Sequence, residues 1–384
     1  MKLTDVCEIN PRSQTISDDM LVSFVAMPDV SEDGKINTSV VRPYGEVKKG
    51  YTVFQEGDIL FAKITPCMEN GKGARAFGLR NGIGVGSTEF HVLRPKSDFL
   101  DGMWLYYLTA WSAFRHKAEI HMTGSAGQKR VPKSFLESYQ IDIPALDKQK
   151  DQVSQLNRIR RILEARQRQL HALDTLIKAR FVEMFGDESQ FVSAPLDNSV
   201  EEMFIGPFGS SLKNECFVPA EDGFCMVYEQ KHAIRKTMDV DTRYVDEKKY
   251  HELQRFTVLG GDIIVSCRGT IGETFIVPDD APIGIMHPSI MKIRLKSTTY
   301  NRVFFNHLLQ TVLKRHEDEA NGSGVKMAIT ATALGQESFI IPSMTLQNQF
   351  ASFVYQVDKS KSVVQQALAK DQLLFDSLMQ QYFG

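Results

Sequence analysis

Two patterns of hydrophobic positions alternate along the 384-residue chain. The first is a series of short β-type runs between turn signals: MLVSFVAM, YTVF, DILFAKI and EFHVLR, and later FTVL, DIIVSC, ETFIV and IMKIRL. Runs of this length, rich in Val, Ile and Phe and bounded by Gly, Pro, Asn or Asp, predict strands. Helical spacing follows each series, in MWLYYLTAWSAFRHKAEI (103–120) and RVFFNHLLQTVLKRHEDEA (302–320). These parts predict α+β globular domains.

The second pattern is longer. From about Leu146 to Phe185 there is no Pro, and no Gly before Gly186. Leu156, Leu163, Leu170 and Ile177 recur every seven residues, and Ile159 and Leu173 sit three further on, which makes an a/d seam. The matching later positions are Val354, Lys361, Leu368 and Phe375, with Val357, Val364 and Leu378 at the d-type places. Arg166, Lys361 and Asp371 interrupt the seams. Each helix would run about 50–57 Å at 1.5 Å per residue. Helices of this length with no cap inside them predict a coiled coil. Packing of each helix on its own globular part is the competing reading. Against it stand the narrow seam and the charged flank Arg158, Arg160, Arg161, Arg166 and Arg168. If the first helix leads into a second globular part and the other closes the sequence, an antiparallel pair lets them bury each other, with the globular parts at opposite ends of a rod.

The chain also repeats itself. At an offset of 198 residues, Gly124-Ser125 matches Gly322-Ser323, Pro144 matches Pro342, Gln149 matches Gln347, and Phe185-Gly186 matches Phe383-Gly384. Upstream the agreement is looser: EGDILFAKITP (56–66) resembles GGDIIVSCRGT (260–270), and STEFHVLR (87–94) resembles PSIMKIRL (288–295). This is a tandem duplication whose halves have drifted most upstream.

Composition narrows the class. Hydrophobic residues are 42% and charged residues 24%, an ordinary globular balance. No run of 18 apolar residues predicts a membrane span, and MKLTDVCEINPRS lacks the apolar stretch of a signal peptide. Five cysteines without a C-x-x-C pair argue against disulfides and zinc, and suit a reducing, cytoplasmic setting. The nine histidines form no H-E-x-x-H set, so no metal site is assigned. A net charge of −2 means that any nucleic-acid contact must rest on local basic patches.

Candidate chemistry is sparse. TGSAGQKRVP (123–132) has the ingredients of a phosphate loop, but its glycines are three apart and Gln128 stands where the lysine is needed, so an ATP site is excluded. Pro28-Asp29 followed by Glu46-Val47-Lys48 satisfies a loose Mg-nuclease pattern with no counterpart in the second half. Asn10-Pro11 is followed by Arg12, so no methyltransferase N-P-P-[FY] is present.

Particular strings carry a resemblance. VCEINPRS, FVAMPDVSEDGKI, DILFAKITPCMENGKGA, GSTEFHVLRP, QKRVPKSFLESYQIDIP, KARFVEMFGD and GPFGSSLK (206–213) resemble the DNA-specificity subunit of Type I restriction–modification systems. The resemblance implies an α+β fold with two target-recognition domains, at 1–145 and 187–342, separated by antiparallel coiled-coil helices at 146–186 and 343–384 in a pseudo-twofold repeat. It implies a non-catalytic subunit that reads a bipartite, asymmetric target on double-stranded DNA and docks methyltransferase subunits, expected in two copies, and restriction subunits. The subunit itself would bind no cofactor; S-adenosylmethionine, ATP and Mg would enter through those partners. A self-contained nuclease and a coiled-coil scaffold with protein-binding heads are the other classes to be weighed.

Within that reading, Ser125, Gln128, Lys129 and Arg130 are candidate DNA contacts, because Lys and Arg neutralise phosphate and Gln can pair with adenine. Ser323 and Lys326 are the second copy. Lys63, Thr65, Asn70 and Lys72 form a further polar loop after a strand, answered by Arg268 and Thr270. Ser210, Ser211 and Lys213 of GPFGSSLK complete the set. Each also reads as ordinary turn chemistry. The arginines of the first long helix read equally as a solvated face.

Overall fold

The structure is a computed structural model. It describes residues 1–384 except 13–14, 97, 126, 297 and 324–329, and the side chains of 319–323. The chain divides into two units: Met1–Arg168 with Val364–Gly384, and Gln169–Val363. Each long helix therefore contributes part of its length to each unit.

Unit 1 holds strands β1 (Cys7–Ile9), β2 (Leu21–Val25), β3 (Val41–Pro43), β4 (Thr52–Gln55), β5 (Ile59–Ala62), β6 (Gly73–Arg75), β7 (Ile83–Gly86) and β8 (Phe90–Pro95). They form two four-stranded sheets, β1-β8-β5-β6 and β3-β2-β7-β4. Unit 2 begins with β9 (Ser193–Pro195), followed by β10 (Val200–Ile205), β11 (Cys225–Tyr228), β12 (Tyr244–Val245), β13 (Thr257–Val258), β14 (Ile263–Ser266), β15 (Thr274–Ile276), β16 (Gly284–Met286), β17 (Ile290–Leu295) and β18 (Ser338–Ile340). Its larger sheets are β10-β17-β14-β15 and β12-β11-β16-β13, and β9 pairs with β18. The order is that of unit 1, strand for strand. In both units one pair is parallel, β2 with β7 and β11 with β16, and the flanking pairs are antiparallel. The regions whose sequences agree least thus share one topology.

The same buried polar ties recur. Gln149 accepts the Asp101 backbone N–H at 2.8 Å and donates to the Phe99 and Pro144 carbonyls, both at 2.9 Å. Gln347 accepts the Asn301 N–H at 2.8 Å and donates to the Thr299 and Pro342 carbonyls at 3.1 and 2.8 Å. Both side chains are fully buried, which demands that their polar atoms be satisfied. Asp58 takes a two-pronged bond from Arg94 at 2.8 and 2.7 Å, and Asp262 takes one from Arg294 at 2.7 and 2.7 Å. Asp101 caps the helix Gly102–Ala110 through Met103 and Trp104, and Asn301 caps Arg302–Ser323 through Val303 and Phe304.

The long helices run Leu146–Phe185 and Met344–Phe383. In unit 1, Leu156 shares a core with Met379, Phe375 and Leu378, and Tyr382 donates to Gln155 at 2.7 Å. In unit 2, Ile177, Phe181 and Phe185 share a core with Phe350, Val354 and Val357. Numbers rise along one helix as they fall along the other, so within each unit the two segments are antiparallel. The seam interruptions are paired across the helices: Arg166 with Asp371 in unit 1, and Lys361 with Asp174 at 2.6 Å in unit 2.

Of the expected seam, Leu156, Ile159, Leu163, Ile177, Val354, Val357 and Val364 are buried, while Leu170, Leu173, Leu368, Phe375 and Leu378 are half-buried. The helices also dock on the globular parts. Trp104 Nε1 donates to Gln152 at 2.8 Å, Tyr107 to Asn157 at 2.7 Å, and Arg160 lies over the Tyr106 and Tyr107 rings. Pairing and docking share part of one helix surface, since Gln152 lies one turn before Leu156, so the two readings of these segments do not exclude each other.

Two local expectations change. The stretch 103–120 is two helices, Gly102–Ala110 and Ser112–Ile120, because Trp111 is extended (φ −61°, ψ 130°) and its indole is buried toward Phe383. Its counterpart Thr311 is exposed, and there the helix runs on unbroken. The second loop copy also starts differently. The helix continues through Asn321, Gly322 and Ser323, whereas Gly124 and Gly127 take positive φ (123° and 81°) in an open loop closed by Thr123 pairing with Arg130.

Candidate nucleic-acid interface

In unit 1 the loops after β5 and before Pro132 are zipped together. Val131 N–H donates to Lys63 O at 2.9 Å, and both the N–H and the hydroxyl of Thr65 donate to Lys129 O at 3.0 Å. Two candidate segments some 60 residues apart thus form one surface. Glu89, in the β7–β8 turn, binds them: its carbonyl accepts the Lys63 N–H at 2.9 Å, and its carboxylate takes Arg130 Nε and Nη2 at 2.9 and 2.8 Å. Arg130 Nη1 also reaches the Gln128 carbonyl at 3.2 Å. The guanidinium is preorganised by these bonds, and it holds the Glu89 carboxyl below its usual range. Beneath the loop, Asn10 Nδ2 lies 3.1 Å from His91 Nδ1, and His91 Nε2 lies 2.8 Å from the Val131 carbonyl. A carbonyl only accepts, so Nε2 carries the proton and Nδ1 accepts from Asn10: the ring is the neutral tautomer. Burial lowers the His91 pKa, in keeping with that state.

Asn70, Ser125, Gln128 and Lys129 are exposed, and Lys63 is half-buried. Lys72 turns inward, its ammonium 3.3 Å from the Met27 carbonyl. Asp29 and Lys48 are otherwise engaged than a nuclease would need. Asp29 caps a turn through Ala26 N–H at 2.9 Å and accepts from Asn37 at 3.2 Å, while Lys48 pairs with Asp18.

In unit 2, Arg268 and Thr270 are exposed in the loop after β14, where Gly269 and Gly272 take positive φ (67° and 90°). Ser210 and Ser211 sit in a single turn, Gly209–Ser211, with Lys213 exposed just beyond. Both loops are anchored on the β16–β17 turn. Gly206 N–H donates to Ile290 O at 2.9 Å, and Cys267 N–H to Ser289 O at 2.8 Å. A Cβ on Gly206 would lie 2.3 Å from the His287 carbonyl, so only glycine fits. Beside this turn Glu229 pairs with Lys231 at 2.8 Å and with Arg243, whose guanidinium stacks 3.9 Å over Phe217. Burial works to raise the Glu229 carboxyl, but the two cations overcome it and hold it low. The side chain of Ser323 and all of Lys326 lie outside the described residues.

Glu89, Asn10, His91, Glu229 and Arg243 are the residues that sequence reasoning passed over. Asn10, Glu89 and His91 lay within quoted strings, VCEINPRS and STEFHVLR, which served there for the resemblance and for aligning the halves; Glu229 and Arg243 carried no signal. Among the described residues no group of three or more His, Cys, Asp or Glu is placed to hold a metal ion, and no helix is long and apolar enough to cross a membrane.

Comparison with known proteins bears on the family and the fold. The family model described as the Type I restriction modification DNA specificity domain matches residues 1–172 and 228–370. The chain is 47% identical over 149 residues to the Type I restriction enzyme EcoAI specificity subunit of Escherichia coli, covering 38% of this chain and 25% of that protein. It is 46% identical over 144 residues to the EcoEI specificity subunit of the same organism, covering 37% and 24%. The matched part thus spans about a quarter of the length of these relatives. A chain solved in a study of complex assembly and conformational transition of the type I R-M system has the same fold, with a TM-score of 0.62 at 16% identity over 100% of this chain and 96% of that one. The two matched segments cover most of the sequence, and on them this chain belongs to the Type I restriction modification DNA specificity domain family.

Proposed function

We propose that the chain is a sequence-specific DNA-binding specificity subunit that reads a bipartite, asymmetric target, unit 1 taking one half and unit 2 the other. The observation that carries this reading is the pairing of one topology with two loop chemistries: the same eight-strand arrangement presents Thr65, Lys129 and Arg130 in one unit and Ser210, Lys213 and Arg268 in the other. Two copies of one reader with unlike loops suit a target with unlike halves. Exposed Lys and Arg supply phosphate contacts, and preorganised Arg130 suits bidentate contact with guanine. The 40-residue helices, each about 60 Å long by their rise, suit a spacer between half-sites.

In this reading the chain performs no chemistry. Methyltransferase subunits dock on it and methylate adenine with S-adenosylmethionine, and restriction subunits add ATP- and Mg-dependent cleavage, all in the cytoplasm. Methylome sequencing of a host expressing the chain with its modification subunit tests it. The expected result is a new split, adenine-methylated motif with two unlike halves that is absent from a host lacking the chain. A stable complex that methylates no such motif would favour the scaffold reading.

A further inference from the structure

β1 and β10 hold corresponding places at the edges of corresponding sheets, but β10 runs two residues further: Ile9 lies opposite Leu93 and Met203 opposite Ile293, while Ile205 reaches Met291. After β1 the chain reads Asn10-Pro11-Arg12; after β10 it reads Gly206-Pro207-Phe208. In both, the first residue is fixed by a backbone bond to the neighbouring strand, Asn10 N–H to Val92 O at 2.7 Å and Gly206 N–H to Ile290 O at 2.9 Å. The proline then turns the third side chain outward. Arg12 is exposed, and Phe208 is 87% exposed.

A phenylalanine so placed is costly in water unless something covers it. Its backbone is nonetheless held: Ser211 N–H donates to the Phe208 carbonyl at 2.8 Å, and Pro207 is buried. The exposed residues that follow it, and those on the loop anchored at the same turn, are polar and cationic. Ser210 follows it, Lys213 is exposed, and Arg268 stands on the loop that shares the β16–β17 turn as its anchor. Among the described residues, Arg12, Lys213 and Arg268 make no ion pair. An exposed ring with unpaired cations on its own loop and on the loop sharing its anchor does not fit an apolar protein interface. It fits a duplex, whose phosphates take the cations while the ring meets the base stack.

Resting on the DNA-reading function above, we propose that Phe208 is a wedge that packs into a base step of the second half-site. Unit 2 would then read deformability at that step, favouring flexible pyrimidine–purine steps.

The test uses the full chain with its methyltransferase subunit and a duplex carrying the motif mapped for the unaltered complex. 2-Aminopurine is placed singly through the second half. Emission should rise on binding at one step and fail to rise with Phe208→Ala, whose affinity should drop about tenfold. Phe208→Leu, an apolar wedge of its own, should keep most of the affinity. The proposal is overturned if no position brightens, if Phe208→Ala binds within about twofold of the parent, or if that variant no longer co-purifies with the methyltransferase, which would make the ring a protein contact. A parent complex that methylates no motif would overturn the DNA reading itself, and is thereby told apart from failure of the wedge alone.

Discussion

Unit 1 and unit 2 are the same molecule inside and different molecules at their loops. Inside, Gln149 and Gln347 make the same three bonds, and Asp58–Arg94 answers to Asp262–Arg294. Outside, unit 1 clamps Arg130 with Glu89, whereas unit 2 clamps Arg243 with Glu229 and stacks it on Phe217. Buried polar groups are constrained by the cost of leaving any of them unsatisfied, so they are retained where apolar neighbours drift. Loops on a rigid scaffold carry no such constraint and can diverge to new readings.

The interior half of the comparison breaks most visibly at the buried ion pairs. Asp58→Ala leaves the Arg94 guanidinium without its carboxylate and should destabilise unit 1 by about 3–5 kcal/mol, and Asp262→Ala should cost unit 2 less, because Arg294 keeps Glu202 at 2.9 Å. Denaturant unfolding followed by unit-resolved hydrogen exchange would show each loss confined to its own unit. A loss in only one would mean that the pairs are not equivalent. Next come the glutamines. Gln149→Ala or Gln347→Ala strands one N–H and two carbonyls, at about 2–4 kcal/mol, in the same assay. Among the seam charges, Asp371→Leu should cost more alone than together with Arg166→Leu, because the double change removes the unpaired charge. The more exposed Asp174–Lys361 pair should contribute below about 1 kcal/mol.

The smallest effect concerns pH and sharpens the loop half of the comparison. His91 is neutral in the fold with a lowered pKa, so the unfolded chain binds the proton more readily. Its contribution is fully present above the ordinary histidine value of 6.5 and is lost as pH falls below it toward the folded value. The protection of residues 123–131 against hydrogen exchange, relative to the intrinsic rate at each pH, should therefore fall between about pH 6.5 and pH 5. In His91→Gln that loss of protection should disappear. At the aligned position unit 2 has Met291, so its β17 lacks this response.

Much of this was legible in the chain. Short Val/Ile/Phe runs marked DILFAKI and DIIVSC as strands, and the seven-residue spacing from Leu156 to Ile177 marked the first long helix. These are local periodicities. What was hidden is non-local or depends on one side chain's destination. The break at Trp111 follows from its indole turning into the core, the joining of Thr65 to Lys129 follows from strand ends meeting in space, and the Glu89–Arg130 and Glu229–Arg243 clamps unite residues 41 and 14 positions apart. Phe208 was passed over because its serine and lysine neighbours looked like the chemistry.

The most direct test of the central claim is methylome sequencing of a host carrying the modification subunit and a chain altered only in unit 1, by Gln128→Ala, Lys129→Ala and Arg130→Ala together. The account predicts that the first half of the split motif relaxes or is lost as a distinct sequence while the second half and the spacing stay as in the parent. Both halves changing together, or neither changing while methylation persists, would contradict it.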